Sequence, residues 1–180
     1  MRKLALIAIL ALLPAFASAA APSEEDKLLA ELKKAESPEI AKPIEDKLGQ
    51  LFHASGSASV DLLMTRAGTA LGQADNATAR ALIEAVTHVA PRFAEGWRTR
   101  AHMQRASGDD AGAMISLQRA VDLNPKHFTA MTELGEMLED YGDKPGALKL
   151  YRRVLALDPQ MKIAIERAKA LTKEVEGQGI

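Results

Sequence analysis

The stretch GDKPGALKLYRRVLALDP, Gly142 to Pro159, decides the fold, because its skeleton already occurs in GDDAGAMISLQRAVDLNP, Gly108 to Pro125, 34 residues earlier. Each copy reads as a turn, a helix start, a helix and a helix stop. Glycine accepts a positive φ at the turn, and the Asp after it offers a side-chain oxygen to the free N–H groups of the next helix. Pro145 suits a first helical turn, where no intrahelical bond is lost. Pro125 and Pro159 cannot continue a helix interior, and they push Asn124 and Asp158 toward extended backbone.

Working outward at a spacing of 34 gives three rows, 60–93, 94–127 and 128–161, which end close to Pro91, Pro125 and Pro159. Alanine stands at the same place in each, Ala79, Ala113 and Ala147. A small column runs Ala67, Ala101, Gly135, and a bulky one runs Leu63, Trp97, Met131. Ile83, Leu117 and Tyr151 form a further apolar column, and Val86, Ala120 and Val154 follow it. With Ala74-Asp75-Asn76 as the first-row turn, every row becomes two helices joined by a tight connection. Such a hairpin cannot bury its apolar face alone, and stacking copies solves the problem. The small columns let paired helices approach closely, so Leu at Ala101 or Ala113 is expected to cost about 1–3 kcal/mol by overpacking. Trp97 offers roughly 150–250 Å² for burial and is expected in the core rather than as an exposed ligand anchor.

These rows resemble tetratricopeptide repeats, whose pattern is Trp-x2-Leu-Gly-x2-Tyr, then Ala-x3-Phe, then Pro. The third row matches most fully, through Met131, Leu134, Gly135, Leu138, Ala147, Tyr151 and Pro159. The second keeps Trp97, Ala101, Ala113, Leu117 and Pro125 but carries Arg100 and Gln104 where Leu and Tyr are usual. The first is weakest, with Leu63, Ala67, Ala79, Ile83 and Pro91. The resemblance implies an all-α protein, a right-handed superhelical solenoid of antiparallel helix pairs.

The flanks fit such a stack. Beyond Pro159, Ile163, Ile165, Ala168, Leu171 and Val175 share one face of an amphipathic segment, expected as a capping helix over 162–176 before a frayed tail at 177–180. Upstream, Ser23-Glu24-Glu25-Asp26 forms a capping box before Leu28, Leu29 and Leu32, and Ser37-Pro38-Glu39 starts a second helix. Pro43 is expected to kink that helix or delay its start. The pair, within 20–59, reads either as a degenerate repeat covering the N-terminal end or as a helix that packs on a partner. Ser59, at the end of HASGSAS, is expected to cap the first repeat helix.

Residues 1–19 read as a secretory signal peptide: Arg2-Lys3, the apolar run Leu4 to Leu13, and Ala17-Ser18-Ala19, with cleavage expected after Ala19. The run is too short to span a bilayer, so no stable membrane insertion is expected after cleavage. With no Cys in the chain, export cannot mean a disulfide framework, and a periplasmic location is expected. The formal charge of -1 is too slight to imply nucleic acid as a partner. His53, His88, His102 and His127 share no metal-ligand spacing, the serines form no nucleophile elbow, and there is no Gly-rich phosphate loop. No cofactor and no catalytic residue is therefore expected.

What the resemblance does imply is a concave surface, lined by the first helix of each repeat, that receives a protein or peptide. Its candidates are Met64 in the first row, Arg98, His102 and Arg105 in the second, and Thr132, Glu136 and Glu139 in the third. Arg98, His102 and Arg105 share one helix face and could clamp a carboxylate. Alternatively, stacking at constant spacing sets His102 beside Glu136 and Arg105 beside Glu139, so that the charges satisfy one another. The family's carboxylate clamp for chaperone tails needs Lys and Asn, then Lys and Arg. Here Met64, Gly68, Thr129 and Glu133 stand in those places, which argues against that role. The expected function is a binding scaffold for cell-envelope assembly, and the alternative is a structural protein that self-associates through its terminal helices.

Overall fold

The computed structural model describes residues 21–177, so the expected signal peptide and residues 178–180 lie outside the described residues. All regular structure described is helical: α1 Glu24–Leu32, α2 Pro38–His53, α3 Ala58–Gly72, α4 Asn76–Val89, α5 Ala94–Ala106, α6 Asp110–Leu123, α7 Phe128–Asp140, α8 Lys144–Leu157 and α9 Lys162–Val175. Helices α4, α6 and α8 start 34 residues apart, and so do α5, α7 and α9. The capping helix α9 thus begins where the first helix of a fourth repeat would.

The turns explain this regularity. Asp75, Asp109 and Asp143 accept the backbone N–H of Thr78, Gly112 and Gly146 at 3.0, 2.9 and 2.9 Å, satisfying one free donor at each helix start. Gly108 and Gly142 take φ of 79° and 86°, whereas the first repeat places Ala74 at φ 59°, where its Cβ crowds the backbone. Ser59 does not cap α3. The helix starts at Ala58 with Ser57 at the cap position, and Asp61 Oδ1 fixes the loop by accepting the Ser55 N–H at 2.9 Å.

Helices pair as α3/α4, α5/α6 and α7/α8, and the pairs stack through α4/α5, α6/α7 and α8/α9. Ala67, Ala79, Ala101, Ala113, Met131, Ala147 and Tyr151 are all buried. At Gly135 an added Cβ would lie 3.1 Å from the Tyr151 ring, so the smallest residue stands opposite the largest of its column. Trp97 is half-buried on the edge of the core. Its Nε1 donates to Pro91 O at 3.0 Å, and Arg100 lies 5.4 Å from its ring centroid.

The outer face of α3, at the first-repeat end of the stack, is left exposed among the described residues. Gly96 meets α4 so closely that a Cβ would lie 2.8 Å from Val86 Cγ1, and Arg100 and Met103 lie beside Ile83 and Glu84 on the same interface. The matching positions of α3 are Leu62, Arg66 and Thr69, all exposed. A mostly polar outer face of this kind keeps a terminal repeat soluble.

Helices α1 and α2 pair with each other and lie along the connections between repeats. Asp26 meets Lys126, the Ala35 carbonyl accepts from Gln160 Nε2 at 2.9 Å, and the Phe52 ring stacks on His127 with centroids 4.4 Å apart. Leu28, Leu29, Leu32, Leu48 and Phe52 enter one core with the second and third repeats. The capping box of Ser23 and Asp26 is formed as expected. Pro43 does not delay α2, which begins at Pro38 and continues through it.

Candidate functional site

Residues 64, 68 and 71 of α3, 98, 102 and 105 of α5, and 132, 136 and 139 of α7 repeat at helical spacing, so each set shares one face of its helix. The three faces differ in what they leave open.

In the second and third repeats the charges are largely committed to one another. Glu95, at 1% side-chain exposure, is the centre. Arg98 binds both of its oxygens at 2.7 Å, His127 Nε2 lies 3.0 Å from Oε2, and His53 Nδ1 lies 3.0 Å from Oε1. His127 Nδ1 accepts the Ala130 N–H at 3.3 Å, so Nε2 carries the hydrogen donated to Glu95. Burial alone would push the Glu95 carboxyl up. The hydrogen bonds from Arg98, His127 and His53 overrule it and hold Glu95 well below the usual carboxylate range. Burial likewise opposes the charge on Arg98, but Glu95 and then Glu133 keep the guanidinium protonated.

Arg98 also reaches Glu133 across the inter-repeat gap at 2.7 Å, and His102 Nε2 reaches the same oxygen at 3.1 Å. Arg105 pairs with Asp140 at 3.1 Å, and Glu139 pairs with Arg167 of α9. The candidate charges therefore satisfy one another, but not in the expected pairing. His102 meets Glu133 rather than Glu136, and Arg105 meets Asp140 rather than Glu139. Long side chains on neighbouring helices interleave diagonally instead of meeting at equal heights. Among the described residues Glu136 has no ion-pair partner, and burial, then the charge of Glu133, raises its pKa. Thr132 is not offered to a ligand. It is buried, and its hydroxyl donates to Phe128 O at 2.9 Å.

The first repeat is open. Nothing lies within 4 Å of a Cβ built on Gly68, and Leu71 is 41% exposed. Leu71 joins Met103 and Ala106 in the apolar lining of a cleft of ≈ 410 Å³ between the α3–α4 turn and α5, with Asn76, Arg80, His102 and Ser107 supplying polar groups. Leu71 stands one repeat before Arg105, on the groove face that the spacing of 34 gives the first row, whereas Arg80, on α4, lies off that face. Among the described residues no group of three or more His, Asp or Glu side chains could hold a metal ion, and no helix is long and apolar enough to cross a membrane.

This geometry defines a helical-repeat solenoid. Comparison with known proteins gives the particular kind: a tetratricopeptide repeat profile matches residues 64–125 and 115–162, and the chain belongs to that family. A TPR repeat-containing protein of Rhizobium etli is 28% identical over 116 residues, which are 64% of this chain and 57% of the relative. The chain thus spans little more than half of that relative's length. Among solved structures, the Sgt2 TPR domain of Aspergillus fumigatus superposes with a TM-score of 0.58 at 20% identity, over 68% of this chain and 82% of that one. The first TPR of Spaghetti (RPAP3), bound to the HSP90 peptide SRMEEVD, gives 0.58 at 20% identity over 65% and 93%. The Yersinia enterocolitica secretion chaperone SycD, in complex with a YopD peptide, gives 0.54 at 14% over 67% and 92%. At these identities the likeness is one of fold.

Proposed function

We propose that this chain is a noncovalent binding scaffold whose ligand is a peptide segment of another protein, seated at the first-repeat end of the concave face. The cleft between the α3–α4 turn and α5 carries the proposal. It is the part of the face where apolar surface at Leu71, Met103 and Ala106 adjoins cationic Arg80 and half-exposed His102. An apolar side chain fits that lining, and a neighbouring acidic group meets Arg80. Bound peptides in the RPAP3 and SycD structures support a role of this type.

The signal-like segment at 1–19 and the absence of Cys support a periplasmic setting, and cell-envelope assembly is the process we propose for it. Protein N-terminal sequencing tests the first point: a mature chain starting at Ala20 supports export, and retained Met1 refutes it. Self-association through the ends has less support. Arg66, Thr69 and Gln73 at one end, and Glu166, Lys169 and Lys173 on α9 at the other, are exposed and polar.

The binding reading is tested by crosslinking intact cells that carry wild-type protein or Leu71→Asp, followed by mass spectrometry. Leu71 is exposed, so the variant is expected to fold normally and to lose its crosslinked partner. Undiminished capture overturns the proposed site.

A further inference from the structure

The α1–α2 hairpin is fastened at both ends by groups that exchange protons. At one end His53, on the last turn of α2, binds Glu95 Oε1 at 3.0 Å. The groups facing it there are Glu95 and Arg98 of α5, with His127 of the α6–α7 connection on the other oxygen of Glu95. At the other end Glu45 of α2 approaches Asp158, which is fully buried at the end of α8. Asp158 Oδ1 accepts the Gln160 N–H at 3.0 Å, while Oδ2 is buried with no donor. Glu45 is only partly exposed and Asp158 is buried, and two neighbouring carboxyl groups so placed hold a proton to higher pH than a free carboxyl does. Burial raises the pKa of both groups, on Asp158 against the backbone donors at Gln160 and Met161, so the retained proton belongs to the pair. Lys42 and Asp46 flank Glu45 on its own helix, with Lys42 Nζ 3.8 Å from Glu45 and 2.8 Å from Asp46. Between the two ends, Asp26 and Lys126 form an ordinary ion pair.

We propose that α1–α2 is a proton-operated latch: the Glu45–Asp158 carboxyl pair and the His53–Glu95 pair hold it on the repeats when protonated, and it loosens as the pH rises. The signs agree at both ends. Burial, then the charge of Asp158, raises the Glu45 pKa when the hairpin is docked. The hydrogen bond to Glu95 raises that of His53. A group whose pKa is raised by docking favours docking fully below its ordinary value and ceases to do so as the pH passes the raised value. For Glu45 that loss begins above the usual carboxylate range, and for His53 above about 6.5. Asp26 has the opposite sign. Lys126, then Ser23, lowers it to about 2, so its contribution is complete from above the usual Asp range and persists as the latch opens. Opening uncovers Phe52 together with Phe128, His127 and the buried leucines of α1. The hairpin is joined to α3 only by the short Ala54–Ser57 connection, where Gly56 has φ 77°.

The test is amide hydrogen exchange by mass spectrometry on the full mature chain at pH 6.0 and 8.5, corrected for intrinsic exchange. Protection of α1–α2 is expected to fall about tenfold or more, the effect of about one shifted titration, while Leu148–Val154 of α8 stays constant. The double variant Glu45→Gln, His53→Gln keeps hydrogen-bonding capacity at both ends without titrating, and its α1–α2 protection is expected to be the same at both pH values. His53 is mostly exposed, and far-UV circular dichroism at pH 6.0 verifies the fold. Equal wild-type protection at the two pH values overturns the latch. So does a wild-type pH response that survives in the double variant.

Discussion

The first and third repeats share a skeleton but not an interior. In α7 and α8 the positions that meet neighbouring elements are Leu134, Met137, Leu148 and Leu150, all buried. One and two periods earlier the same places hold Arg100, Met103, Met114 and Ser116, then Arg66, Thr69, Arg80 and Leu82. The backbone is indifferent to this change, because cap and small-column residues recur in all three copies and the turn conformation is kept even where Ala74 replaces glycine. Burial is not indifferent. It follows what each copy has to pack against, so one end of the stack is dense and the other is left solvated and open to a ligand.

The sharpest way to break this comparison is at the junction between the two regions. Arg98→Glu strands Glu95 and Glu133 in a half-buried cluster, and a loss of about 3–5 kcal/mol is expected in urea unfolding. A loss under about 1 kcal/mol would show that the cluster is solvated. Next comes the bulky column. Met131→Ala, at a fully buried site, is expected to cost about 2–5 kcal/mol, and Leu63→Ala, at a half-buried one, under about 2. Equal costs would erase the gradient. A smaller effect of opposite sign is expected at the first turn. Ala74→Gly relieves the positive φ and should raise stability by about 0.5–1 kcal/mol, less whatever glycine adds to unfolded-chain entropy. A lower thermal midpoint would contradict the strain. The smallest effect belongs to Arg105→Ala, whose pair with Asp140 is about half exposed on both sides and contributes at most about 1 kcal/mol.

Much of the fold was legible because its determinants are local. Asp caps, turn glycines and closing prolines act within a few residues, and repetition made the caps and prolines visible three times and the glycines twice. The start of α9 at Lys162 followed from the same period. The groove was legible as a set of faces but not as a set of contacts. Pairing at a constant spacing of 34 misses the diagonal reach of Arg98 to Glu133 and of Arg105 to Asp140, whose separation is 35. The place of α1–α2 was not legible at all. Its leucine and phenylalanine spacing announces a buried face, but the groups that receive it, Lys126, His127, Asp158 and Gln160, stand in connections far along the chain. Nothing in their local sequence marks them as a docking edge. Glu95 is legible as a residue of the second-row groove face, but its burial is not, since a carboxylate on an amphipathic helix is usually solvated and here two distant histidines close over it.

The hydrogen bond from Gln160 to Ala35 spans 125 residues of sequence, and this has a consequence for synthesis. Ribosomes deliver the hairpin first and its seat last. At about 5–20 residues per second, Leu28, Leu29 and Leu32 wait roughly 6–25 s before the α8–α9 connection exists to receive them. An array of repeats can otherwise condense one neighbour at a time as it emerges. This one is closed only by its final third, so a chain arrested before Gln160 would present its apolar N-terminal helices to whatever holds nascent chains.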